Sequence, residues 1–367
     1  MSTPSHIVVL GMFDLQQLDR ARPIRIHNMH AALTSLTPTT LLSGNRTPRR
    51  FAIMRFLWRG GLRHTRAVYV EASTSTATEI DLLFLALARR RSLPIAVYIP
   101  DAYQLFPHLY PRRGWKVTLL DWGWRRSIEA YLRLADALLF PSSGLAAHFG
   151  SSQAFTFLKK KKNIEKFGLL PPGGRANRGW IPPSCEPPIV VFAGEASFRY
   201  GSDLLLHAME QVVVRHPTTR CHFISSNVDF IRDHPSRHAF WLTVESRTFD
   251  ELPEILSSAT IAVVPLRVNT YTELAMPVKL FDYMSYGRPL VVTACRETAT
   301  LVRELQAGLV VEPTAAALAD GISQLIENPA LARHLGGNGY RAIQTTHSWS
   351  HRAKQLLHMI EEIENQR

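Results

Sequence analysis

Apolar residues are gathered along this chain in short unbroken runs, separated by longer stretches in which they recur every three or four positions. In the first half the runs are His6–Phe13, Thr39–Gly44, Ala67–Ser73, Ile95–Asp101, Ala137–Ser142 and Phe167–Pro171. The second half repeats the rhythm with Ile189–Gly194, Arg220–Ser226, Phe240–Glu245, Ile261–Leu266, Pro289–Cys295 and Gly308–Pro313. Runs without polar alternation predict strands buried on both faces, and the spacing between them, as in Thr76–Arg91 and Trp115–Leu134, predicts helices. Such alternation builds parallel sheets from βαβ units. The expected fold class is α/β, with two Rossmann-like domains rather than one enlarged sheet. The run "PPGGRANRGWIPPSCEPP", Pro171–Pro188, reads as the boundary because Pro and Gly interrupt both periodicities. The expected division is 1–180, 181–347 and a closing segment 348–367, whose Trp349–Ile363 stretch is an amphipathic helix.

A length of 367 residues suits two domains. No apolar run approaches the roughly 20 residues that a membrane span needs. The His6–Phe13 run has no basic leader and reads as a first strand rather than a signal peptide. Cys185, Cys221 and Cys295 form no CxxC pattern, which points to a reducing compartment without a disulfide framework or a zinc site. A cytoplasmic place is expected. Charge is distributed unevenly: residues 1–180 hold 26 Lys/Arg against 10 Asp/Glu, and the remainder 16 against 20. The first half should therefore face something anionic.

In open parallel sheets ligands bind beyond the carboxyl ends of the strands, so candidate chemistry is sought in those loops. In "VVFAGEASFRYGSDLLLHAM", Gly194 ends a strand and Gly201 opens a helix, with Glu195, Arg199 and Tyr200 between them. A turn of this kind can offer backbone N–H groups to a phosphate, but every βαβ unit has one. "MPVKLFDYMSYGRPLVV", Met276–Val292, is more pointed. Pro277 suits a helix start, followed by Val278, and Gly287 suits its end. Lys279 then falls in the first turn, where its charge opposes the helix dipole unless an anion neutralises both. Asp282, one turn on, could accept hydrogen bonds from a vicinal diol. The rival reading is a surface i,i+3 ion pair worth only a few tenths of a kcal/mol.

In the first half Arg20, Arg22 and Arg25 follow the first strand, as a solvated patch or as a phosphate clamp. Asp101, with Tyr103 and Phe106 nearby, closes a strand and suits either an acceptor hydroxyl or a helix N-cap. In "TPRRFAIMRFLWRGGLRHTR" a helical wheel puts Arg55, Arg59, Arg63 and Arg66 on one stripe. Phe51, Met54, Trp58 and Leu62 fall opposite, and Gly60-Gly61 should interrupt the helix. That pattern fits an interfacial helix on anionic lipid, or equally a helix packing its apolar side into its own core. Lys159, Lys160, Lys161 and Lys162 add a basic run, which is either a second membrane contact or a solvated loop.

Three stretches resemble the retaining GT-B-fold glycosyltransferases of family 4, also called group 1: the glycine-framed loop from Val190, "PVKLFDYMSYGRPLVVT" with "ETATLVRELQAGLVVEP" after it, and the closing "HSWSHRAKQLLHMIEEI". The resemblance implies two Rossmann-like domains facing across a cleft, with the C-terminal helix crossing back to the first. It implies transfer of a sugar from a nucleotide diphospho-sugar to a glycan, lipid-linked or small-molecule acceptor, with retention and without a cofactor. On that basis Gly194, Glu195, Arg199, Glu273, Val278, Lys279 and Asp282 bind the donor, with Asp282 on the ribose and Glu273 on the sugar. Lys279 and Arg199 would steady the departing diphosphate. Asp101, with Arg22, Arg25 and Tyr103, would face the acceptor. No DxD triplet is present to bridge a metal. The family's two glutamates seven residues apart become Asp282 and, one place off register, Glu273. The family's loop arginine and lysine fall on Glu195 and Tyr200, and a family glycine falls on Pro277. Two other functions fit the same residues: a nucleotide-sugar epimerase of the same fold, and a non-catalytic basic protein that binds membranes or nucleic acid. Nucleic acid is disfavoured because the arginines cluster around helices rather than among aromatics on a strand face.

Overall fold

A computed structural model of the chain describes residues 5–15, 21–72, 76–110, 114–152, 167–176, 179–180, 182–183, 186–248 and 250–367. Each of the twelve apolar runs overlaps a strand. The first six are β1 (His6–Gly11), β2 (Thr39–Ser43), β3 (Thr65–Glu71), β4 (Ile95–Tyr98), β5 (Ala137–Phe140) and β6 (Phe167–Leu169). They form one sheet in the order β2-β1-β3-β4-β5-β6, parallel throughout. The others are β7 (Ile189–Ala193), β8 (Arg220–Ile224), β9 (Leu242–Glu245), β10 (Ile261–Val264), β11 (Leu290–Thr293) and β12 (Gly308–Val311). They form a second parallel sheet, β12-β11-β10-β7-β8-β9. Val, Ile and Phe at the centres of β1, β3, β7 and β10 are fully buried, as expected of strands covered on both faces by helices. This is the GT-B architecture of two Rossmann-like units.

Arg22–Pro171 and Ser350–Arg367 belong to one compact unit, and Pro172–Trp349 to the other. The last helix, Trp349–Asn365, is thus joined to the first unit over nearly all its length. Arg66 of β3 pairs with Glu364 at 2.7 Å, Gln355 donates to the Leu169 carbonyl at 2.9 Å, and Arg367 reaches Asp136 at 2.7 Å. In the boundary run, the Gly174 N–H donates to the His347 carbonyl and its own carbonyl accepts from Trp349. A Cβ at Gly174 would sit 2.7 Å from the Phe281 carbonyl oxygen, so only glycine allows this approach.

Two expectations for the first unit change once packing is seen. Arg25 is 2% exposed, 3.2 Å from Glu71, with its guanidinium 3.5 Å from the centre of the Tyr98 ring. It serves the interior and cannot meet an acceptor in solvent. The basic stretch also divides differently. Its helix spans Arg46–Trp58, and Gly60 in the left-handed region ends it. Ile53 and Arg49 face the core, Arg49 pairing with buried Asp81 at 2.8 Å. Leu62 is buried in the following turn, and Arg66 is occupied with Glu364 on β3. Phe51, Met54 and Trp58, expected opposite the arginines, are exposed beside Arg55 and Arg59. Lys159–Lys162, like Arg20 and Cys185, lie outside the described residues. Among the described residues no helix is long and apolar enough to cross a membrane.

Candidate functional site

In the second sheet the chain leaves β7 toward β8, and later returns through β10 to the other side of β7. The loops that follow β7 and β10 therefore diverge, and a crevice opens at their carboxyl ends. The β7 loop begins at Gly194, whose φ of +147° suits glycine. It is fixed from within. Ala196 N–H donates to Ser225 Oγ at 2.9 Å, Asn227 Nδ2 donates to the Ala196 carbonyl at 3.1 Å, and Ser197 N–H donates to Ser202 Oγ at 3.0 Å. The loop ends at Gly201, which has φ +68° and precedes the helix Ser202–Arg215. A Cβ there would lie 1.6 Å from the Pro265 carbonyl oxygen. Gly201→Ala should therefore displace the loop and cost about 2 kcal/mol or more, read as a lowered denaturant midpoint.

The β10 loop carries the helix Val278–Ser285, with Pro277 as its uncapped N-terminal neighbour. Tyr283 pins this helix over the end of β7, its hydroxyl accepting from Ala193 N–H at 2.7 Å. That contact swings Lys279 across to the other loop. The ammonium lies 4.1 Å from the centre of the Phe192 ring, and a Cβ at Gly194 would come within 2.4 Å of Nζ. Burial pulls Lys279 down to about 7, and Glu195 offsets part of this. Among the described residues the N–H groups of Val278 and Lys279 have no acceptor. A half-buried cation and two free N–H groups at a helix start are together suited to an anion.

Asp282 is partly buried one turn further on. Burial raises its carboxyl to about 7, and the charge of Arg175 holds it back. Arg175 comes from the boundary run, where its N–H donates to Ser285 Oγ at 2.9 Å. It was not singled out in the sequence, although the preceding Gly173-Gly174 pair was a signal of close approach. Glu273 lies in a tight turn, Thr272–Leu274, built on Asn269 Oδ1, which accepts from the N–H groups of Tyr271 and Thr272 at 3.0 Å. Leu274, the position in register with the family's first carboxylate, is buried, whereas Glu273 is partly exposed. Arg199 is exposed on the β7 loop. Arg267 is engaged with Asp203 and stacks at 3.8 Å on the Phe198 ring. The packing thus brings Gly194, Glu195 and Lys279 together, with Asp282 and Arg175 one turn away.

A second cluster lies at the carboxyl ends of the first sheet, where the chain also reverses direction across β1. Arg22 donates to Asp101 Oδ2 from Nε at 3.0 Å and from Nη2 at 2.7 Å. Its guanidinium lies 5.7 Å from the Tyr103 ring centre and 5.6 Å from that of Phe13. The turn after Asp101 has Ala102 at its N-cap position, and Asp101 is the ion-pair partner of Arg22. Arg22, Asp101 and Tyr103 therefore form one polar group, half-buried at strand ends.

Residues 187–328 match the family model described as glycosyl transferases group 1. No curated protein matches the sequence. Solved structures of the same fold include sucrose-phosphate synthase from Thermosynechococcus elongatus, 15% identical with a TM-score of 0.69 over 99% of this chain and 100% of that one. HepE from Anabaena, solved in complex with UDP, is 12% identical with a TM-score of 0.64 over 98% and 100%. WaaG, a glycosyltransferase involved in lipopolysaccharide biosynthesis, is 14% identical with a TM-score of 0.62 over 97% and 99%.

Proposed function

We propose that the protein is a glycosyltransferase that moves a sugar from a nucleotide diphospho-sugar to an acceptor with retention of configuration. The observation that carries this reading is Lys279, lodged against Gly194 at the start of a helix whose first N–H groups are free. An anion there would restore the lysine's charge and satisfy both backbone donors at once. A diphosphate fits that description, and Asp282 on the same helix is spaced to accept from the ribose diol. Glu273 and Arg199 would hold the sugar and the outer phosphate oxygens. Support for the donor class comes from the match of residues 187–328 and from HepE, of the same fold, which binds UDP and UDP-glucose.

In the reaction the C1–O bond to the β-phosphate breaks, and its electron pair stays on the departing phosphate oxygen. The acceptor hydroxyl bonds to C1 on the same face and gives its proton to that oxygen. Lys279 and the N–H groups of Val278 and Lys279 stabilise the charge that develops, which is the role an oxyanion site plays in other transfers. This mechanism needs neither metal nor cofactor. On the acceptor side Asp101, oriented by Arg22 and flanked by Tyr103, would accept from an acceptor hydroxyl. The acceptor would be a glycan or a lipid-linked sugar met on the cytoplasmic side of a membrane.

A screen of nucleotide sugars, read as nucleotide release and paired with calorimetric titration of UDP and GDP, tests the proposal. Saturable binding of one nucleotide and acceptor-dependent release are expected. No binding of any nucleotide would reject it. Interconversion of a nucleotide sugar without acceptor would replace it with the epimerase reading.

A further inference from the structure

Between β2 and β5 the chain steps in one direction across the first sheet. Right-handed crossovers then put the three connecting helices, Arg46–Trp58, Glu79–Arg90 and Trp115–Leu134, on the same face. Their inner sides are fastened together. Arg49 and Asp81 join the first to the second, and Ala77 N–H donates to Ser127 Oγ of the third at 2.9 Å. Their outer sides are unusual for a protein surface. Phe51, Met54 and Trp58 point outward from the first helix, Phe51 64% and Trp58 87% exposed. Leu83 is exposed on the second. On the third, Trp115 is 73% exposed and lines up at i, i+4 and i+7 with exposed Leu119 and Trp122. No residue from Trp115 to Trp122 is buried, so these two turns stand clear of the core.

The charge on this layer is mainly positive, although the third helix also carries the partly exposed Asp121 and Glu129. From Asn45 to Val70 the sequence has seven arginines and no Asp or Glu. Two exposed tryptophans of the third helix carry a cation against the ring: Lys116 lies 5.6 Å from Trp115, and Arg126 lies 5.2 Å from Trp122. Glu79, an acid exposed on the second helix, is paired with Arg50.

We propose that this helix layer is a docking face for an anionic lipid bilayer. The apolar tips would enter the interfacial zone and the arginines would meet the headgroups. Tryptophan suits that depth because its apolar body and N–H handle favour a boundary between water and hydrocarbon. A second copy of the chain is a poorer occupant, since a two-fold contact would set arginines against arginines. The sequence offers membrane contact on one helix with its apolar residues opposite the arginines, or that helix packing into the core, and a second contact at Lys159–Lys162, which lie outside the described residues. In the fold, two helices share the task, and the apolar and basic residues point outward together. The proposal rests on this surface and is independent of the donor chemistry.

Flotation of the full chain tests it, using vesicles of phosphatidylcholine with and without phosphatidylglycerol. Strong flotation with the anionic vesicles and little with the neutral ones is expected. Each near-surface cation contributes about a five-fold factor to partition onto an anionic leaflet, so R55E/R59E/R126E should weaken it on the order of 100-fold. W115S/W122S should weaken it about ten-fold or more. In the unmodified protein, lipids brominated on the acyl chain should quench tryptophan fluorescence, which needs no variant to fold. Nucleotide release should be unchanged in both variants in detergent solution, separating this face from the donor site. Absence of flotation and quenching overturns the proposal. So does flotation that both variants retain, or a dimer in sedimentation that W115S/W122S disperses without any lipid quenching.

Discussion

Lys279→Ala should lower turnover with a nucleotide sugar by on the order of 1,000-fold while the protein still unfolds cooperatively. Removing one preorganised donor to a developing anion costs about 100- to 1,000-fold in comparable sites, and here the group lost is also the cation nearest the helix start. Among the described residues the side chain has no salt-bridge partner and faces the Phe192 ring, so little of the fold depends on it. Burial holds Lys279 down to about 7, whereas an unfolded lysine titrates near ~10.4. Between those values the unfolded chain binds the extra proton, so the unliganded protein gains stability as pH rises through that window. A bound diphosphate should return the proton to Lys279. Nucleotide binding near pH 8 is therefore expected to take up a proton, seen as an enthalpy that varies with the buffer's ionisation heat. Lys279→Ala should abolish that dependence. A variant with unchanged turnover would remove Lys279 from the mechanism.

Asp282→Asn should weaken nucleotide binding by about 10- to 100-fold, since hydrogen bonds to a charged acceptor are worth about 1.5–3 kcal/mol. Turnover at saturating donor should change much less, because a ribose contact is remote from the breaking bond. Burial raises the Asp282 carboxyl to about 7, against about 3.9 in an unfolded chain. The folded state holds the extra proton in between. Its stabilising share is thus fully present below about pH 4 and lost as pH rises toward 7. Asp282 and Lys279 consequently pull in opposite directions, and together they give the unliganded protein a stability minimum near neutrality. Nucleotide affinity should rise as Asp282 ionises on the approach to pH 7 and fall above it, where Lys279 must regain its proton on binding. Arg175→Ala should move that rise to higher pH, because the charge that favours the carboxylate is gone. Affinity equal in Asp282→Asn and the natural protein would refute the ribose assignment.

The candidate site of the second sheet was legible because the chain carries its own instructions locally. Pro277, Lys279, Asp282 and Gly287 lie in one stretch, and a helix with a lysine in its first turn is a readable anomaly at any level of packing. Gly194 and Gly201 were readable for the same reason, as backbone positions. The meeting of Gly194 with Lys279 was not, since it depends on Tyr283 reaching Ala193 across ninety residues of sequence. Arg175 lies in a run with the Pro and Gly content of a linker. It is held over the helix by Gly174, whose missing Cβ permits a contact no local pattern announces.

The sequence by itself determined the twelve strands, their parallel α/β arrangement and a helix start with a lysine in its first turn, because each follows from periodicity or from backbone chemistry over a few residues. Only the tertiary structure decided which like residues serve opposite ends. Arg22 pairs with Asp101 at a strand end, while Arg25, three residues on, is sealed in the core with Glu71. Leu62 is buried, whereas Trp58, one turn before it, is almost fully exposed. Helical spacing shows that a face exists. Which face water is excluded from depends on the neighbouring elements that cover it, and those arrive from distant parts of the chain.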